Sequence, residues 1–148
     1  MLQRDRLTRR AKQWHKGIIA KSEMSASAAG LGLMMSFDPD EVQSALRKAW
    51  SLATASQWTA SNPAAGQCNV TSLLIHELFG GELLRTPLPA GDHFYNRIRG
   101  RRYDFTASQF DQPIAYKDLP ASRADVELGA TSDELAELRA AFQERRTK

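Results

Sequence analysis

Apolar positions along the chain follow a helical period before residue 80 and alternate after it. Val42, Ala45, Leu46, Ala49, Trp50 and Ala53 recur at three- and four-residue steps, which lays them on one helix face. Asp38-Pro39-Asp40-Glu41 supplies an N-cap, a first-turn proline and a capping-box acid, so a helix is predicted from Asp38 to about Ala53. A second helix is predicted from about Gln67 to Phe79. Val70, Leu73, Leu74, Ile75, Leu78 and Phe79 cover more than one stripe of it, which makes it central in its domain. Pro63 and Gly66 break the chain before it, and Gly80-Gly81 stop it.

Glu82-Leu83-Leu84-Arg85-Thr86 reads as a short strand closed by Pro87 and Pro89. His93 to Ile98 and Arg101 to Thr106 alternate and are rich in strand formers, and Arg99-Gly100 joins them as a tight hairpin. Thr106 caps a helical turn that reaches Phe110. Residues 111–130 carry Pro113, Pro120 and Gly129 and read as irregular, with at most one short strand near Ile114-Ala115-Tyr116. Thr131-Ser132-Asp133-Glu134 opens a last helix with Leu135, Leu138 and Phe142 facing in and Arg145, Arg146 and Lys148 at its end. The expected fold is α+β, a central helix on a small antiparallel sheet with helices before and after.

Composition narrows this picture. A chain of 148 residues suits one domain, and its 42% hydrophobic and 25% charged residues are those of an ordinary globular protein. Charge is uneven: residues 1–23 hold seven Lys/Arg against Asp5 and Glu23, so that arm carries +5 of a net +3 and the rest is −2. The basic character belongs to the arm, which argues against nucleic-acid binding by the domain. Residues 1–36 therefore read as a basic arm, and residues 37–148 as a single domain. The arm is a solvated tail, an anion-surface binder, or sequence ahead of a true start at Met34-Met35. Gly17-Ile18-Ile19-Ala20 is too short for a signal segment and is followed by Lys21 and Glu23, so a cytoplasmic protein without membrane attachment is expected. One cysteine excludes an intrachain disulfide, and with three scattered histidines no structural zinc site, and no cofactor, is expected.

The one cysteine, Cys68, sits where loop becomes helix. A thiol there faces unpaired N–H groups and the positive helix end, which favour a thiolate, and its own N–H could donate to an oxyanion. Imidazole is the natural base for a thiol, which singles out His93. With a two-residue turn at Arg99-Gly100, Tyr95 faces Asp104, and His93 is the diagonal neighbour of Asp104 on the same face. A carboxylate there would orient the ring and stabilise its protonated form. A three-residue loop would break that parity. Gln67 could donate its amide to an oxyanion or only cap the helix, and Trp58 could wall the site or pack on Trp50. His76 lies eight residues beyond Cys68, too far along the helix to serve it, and His15 lies in the arm.

Gly-x-Cys opening a helix, a strand with His before an aromatic residue, then Tyr-Asp-x-Thr resembles the papain-like and transglutaminase-like superfamily. Asn62-Pro63-Ala64-Ala65-Gly66-Gln67-Cys68, Gly80-Gly81-Glu82, His93-Phe94-Tyr95-Asn96 and Tyr103 to Phe110 more closely resemble the YunG-like family of small uncharacterised bacterial proteins. The resemblance covers about residues 38–120. It implies a papain-like core with Cys68 as nucleophile, His93 as base and Asp104 as orienting acid. The expected activity is a cysteine hydrolase or acyl-transferase acting on an amide or ester of unknown identity. The alternative is a non-catalytic binding or regulatory module on the same fold.

Overall fold

A computed structural model of the chain describes residues 36–146. The chain divides into two units, Met1–Ser36 and Phe37–Lys148, and every described element belongs to the second. The expectations for the basic arm fall outside the described residues.

Helix α1 spans Pro39–Ala49, and the Asp38 side chain accepts the N–H groups of Asp40 and Glu41 at 3.1 and 3.3 Å. The helix stops four residues short of Ala53. Thr54 Oγ1 takes the Ser51 N–H at 2.9 Å, and such local bonds compete with helix continuation. Trp50 turns extended and donates its indole N–H to Thr71 Oγ1 at 2.9 Å. Helix α2 spans Cys68–Phe79, buries every residue from Val70 to Ile75, and ends at Gly80 with φ 75°. Its central place follows from that all-round burial.

Strands β1 (Glu82–Leu88), β2 (Gly91–Ile98), β3 (Arg101–Tyr103) and β4 (Leu119–Pro120) form an antiparallel sheet of order β3-β2-β1-β4. The β2–β3 hairpin pairs Ile98 with Arg101 and Arg97 with Arg102, the two-residue register. Arg99 and Gly100 take φ 52° and 80°, the paired positive values of a type I′ turn. Strand β1 does not close at Pro87 as expected but runs to Leu88 and pairs with β2 across a second hairpin. Pro87 is tolerated because β4 pairs with β1 only at Leu84 and Arg85, leaving one side of β1 unpaired beyond them. The late short strand forms at Leu119–Pro120 rather than at Ile114 to Tyr116. The segment expected to be irregular also holds helix α3, Arg123–Glu127, which opens with a capping box between Ser122 and Asp125. Helix α4 spans Ser132–Arg146.

The core lies between the helices and one sheet face: Leu46 of α1, Leu73 and Leu74 of α2, Leu138 and Phe142 of α4, and Leu83, Phe94 and Ile98 of the sheet. Asn96 ties β2 to α2 by donating to the Ser72 carbonyl at 3.0 Å. Tyr95 lies on the alternate face of β2 and is covered by residues 116–118. Its hydroxyl meets Thr86 Oγ1 at 2.6 Å and Asp118 Oδ1 at 2.9 Å, and Tyr116 packs edge-on at 5.0 Å.

Candidate active site

Cys68 is the first residue of α2, half-buried, with backbone N–H at a position that has no intrahelical acceptor. Gly66, at φ 73°, lets the chain turn into that helix, and a Cβ there would sit 2.8 Å from the Gln57 side chain. His93 enters from the start of β2, with its ring held between Tyr95, stacked at 5.6 Å, and Phe110, edge-on at 4.8 Å. Sulfur and ring line one cleft of about 390 Å³.

Asp104 lies one residue past the end of β3, and its Oδ2 is 2.7 Å from His93 Nε2. The parity expected from the two-residue turn thus brings ring and carboxylate together, although the strand itself has ended. Three further donors fix the carboxylate: Tyr116 OH at 2.7 Å, the Thr106 N–H at 3.2 Å and Thr106 Oγ1 at 3.3 Å. Burial and the bond to Asp104 hold the Tyr116 hydroxyl protonated well above its usual range. For His93, burial pulls the pKa down. The hydrogen bonds to Asp104 and to the neighbouring Cys68 sulfur, with the negative charge of Asp104, outweigh it, raising the pKa from 6.5 to about 9. The ring therefore carries its proton at neutral pH.

The residues named from sequence divide. Cys68, His93 and Asp104 come together. Gln67 does not join them: its side chain is fully buried, accepting from Thr54 Oγ1 at 2.9 Å and pointing its amide nitrogen at the Ser51 carbonyl. It also makes no side-chain cap to the helix. The glutamines that do line the cleft are Gln57 and Gln109, and the Gln109 amide donates to Thr106 Oγ1 at 3.0 Å. Trp58 is half-buried against the core and is not part of the cleft lining.

Sequence reasoning missed Tyr116, Thr106, Phe110 and Asn69. Thr106 and Phe110 sit in the quoted Tyr103 to Phe110 motif and were legible as neighbours of Asp104. Tyr116 reaches Asp104 from a segment without regular structure, and no local pattern marks it. Asn69 donates Nδ2 to the Val126 carbonyl at 2.9 Å and presents Oδ1 to Cys68 Sγ at 3.3 Å. Among the described residues no cluster of three His, Cys, Asp or Glu could hold a metal ion. No helix among them is long and apolar enough to cross a membrane.

A half-buried thiol on a helix N-terminus, beside a buried imidazole–carboxylate pair, defines a small α+β protein with a thiol–imidazole–carboxylate site. The chain belongs to the YunG family, whose model, described as YunG protein, matches residues 38–147. It is similar to "Uncharacterized protein YunG" of Bacillus subtilis (strain 168), 41% identical over 103 residues that make up 70% of this chain and 90% of that protein. No solved structure matches it.

Proposed function

We propose that the protein is a cysteine hydrolase or acyl-transferase of the papain-like or transglutaminase-like type, acting on an amide or ester in the cytoplasm. The observation that supports it is the 2.7 Å His93–Asp104 pair opening onto the cleft that also holds Cys68. Asp104 holds Nε2, which leaves Nδ1 of the ring for the sulfur and the substrate.

The Cys68 proton leaves to water in the cleft, and the thiolate is held beside the ring, which is already an imidazolium. The sulfur attacks the substrate carbonyl, and the C=O electron pair moves onto oxygen. The Cys68 backbone N–H donates to that oxyanion, assisted by the side chain of Gln57, which lines the same cleft. Collapse breaks the bond to the leaving group, which takes the imidazolium proton. The neutral ring then deprotonates water or an acceptor nucleophile, whose attack on the thioester frees the sulfur. The steps use no metal and no organic cofactor.

The test is the iodoacetamide alkylation rate of Cys68 against pH, in wild type and in His93→Ala. An unperturbed thiol ionises near pH ~8.5. Rapid alkylation well below that pH, lost in His93→Ala, is expected. An ordinary thiol profile in both proteins would replace this reading with that of a non-catalytic binding module.

A further inference from the structure

Asn69 follows the candidate nucleophile, and its amide has only one sensible orientation. The Val126 carbonyl can only accept, so Nδ2 must face it, at 2.9 Å. Oδ1 is thereby turned to the Cys68 sulfur at 3.3 Å, and an amide oxygen can only accept as well. What that oxygen satisfies is an S–H; a thiolate in its place would meet a partial negative charge. The carbonyl that fixes the amide also takes the Gly129 N–H at 3.2 Å, so it belongs to the turn between α3 and α4. Gly129 lies against Asn69: a Cβ there would fall 2.4 Å from Nδ2 and 2.6 Å from Cγ.

We propose that Asn69 is a positioning residue that holds Cys68 in a resting thiol form, and that the α3–α4 turn sets how readily the sulfur is activated. The inference rests on the cysteine-enzyme reading of the same site. Activation moves one proton: the S–H bond breaks, the proton leaves to water in the cleft, Asn69 Oδ1 loses its donor, and the thiolate is left facing the protonated His93 ring. Anything that swings the amide off the sulfur favours that transfer. A substrate seated in the cleft touches Asn69 and Gly129 directly, since both line it. The C-terminal segment thus acts on the chemistry through a single side chain.

The experiment is the alkylation rate of the full chain against pH, with the urea unfolding midpoint of each variant as a fold control. Asn69→Ala removes the acceptor, and alkylation at pH 6 is expected to rise about three- to tenfold, the worth of one such hydrogen bond. Asn69→Asp sets a charge beside the sulfur and should slow it. Gly129→Ala keeps Asn69 but displaces its amide, and should mimic Asn69→Ala; its backbone is not in the left-handed region, so the added methyl acts through that contact. A purely structural role for Asn69 would shift the unfolding midpoint and leave the pH profile in place, which overturns the proposal. Should His93→Ala leave the wild-type profile unchanged, the reading beneath it fails and the proposal falls with it. A His93-dependent profile that neither Asn69→Ala nor Gly129→Ala moves overturns the proposal alone.

Discussion

Asp104 is the most heavily bonded acceptor of the site, taking His93, Tyr116 and both donors of Thr106. That arrangement fixes the sign of a pH effect. The His93 pKa is raised above its unfolded value, so its contribution to stability is complete below about pH 6.5 and is lost as pH rises through about 9. Both side chains are almost wholly shielded from water, 2% and 5% exposed, so solvent screening removes little of it. The shift corresponds to about 3 kcal/mol. Urea unfolding should show wild type weakening between pH 6.5 and 9, and Asp104→Asn should flatten most of that slope; an equal slope in both would place the charge partner elsewhere. Tyr116→Phe removes a donor to the same carboxylate and should cost about 1.5–3 kcal/mol at neutral pH by the same measurement. At this scale the grouping of Cys68, His93 and Asp104 was legible, because a lone thiol, an imidazole and a carboxylate at strand parity restrict one another. It concealed Tyr116 and Asn69, whose roles come wholly from what the folded chain sets beside them. It misdirected on Gln67, because adjacency to Cys68 says nothing of which side of the helix entrance the amide takes.

Among the elements, the Gly80-Gly81 stop does more than end α2. Gly81 has φ 79°, and a Cβ on it would lie 2.2 Å from the Arg97 carbonyl oxygen of β2, a backbone atom that cannot step aside. Gly81→Ala should therefore cost at least about 2 kcal/mol, from left-handed strain plus the clash, measured as a lowered urea midpoint with an unchanged m-value. Gly80, at φ 75° with nothing within 4 Å of its Cβ position, should lose only the strain and tolerate alanine better. The β2–β3 hairpin was readable because alternation and Arg99-Gly100 agree on one register. The β1–β2 hairpin was hidden by Pro87 and Pro89, which ordinarily end strands; only the two-residue length of β4 makes Pro87 acceptable. Helix α3 escaped notice because just one of its five residues, Val126, is buried, leaving no period to detect.

Over the whole domain, the last helix separates stability from chemistry. The resemblance visible in the motifs ended near residue 120, whereas the family match runs to residue 147, so α4 is part of the family's architecture. Phe142 is fully buried, and the Arg146 guanidinium lies over both its ring and that of Phe79, at 5.8 and 5.4 Å. Phe79 is the last residue of α2 and Cys68 the first, so they are about 16 Å apart along the helix axis. Phe142 accordingly supports the end of α2 remote from the sulfur, whereas Asn69 touches it. Phe142→Ala should lower stability by about 3–5 kcal/mol through the cavity it leaves. In the folded fraction, at low urea, the pH at which Cys68 alkylates should stay where it is in wild type. A shifted profile in Phe142→Ala would mean that packing of the core as a whole, rather than the short path from Val126 through Asn69, governs the thiol. An unshifted one leaves the α3–α4 turn as the route by which the C-terminal segment reaches the site.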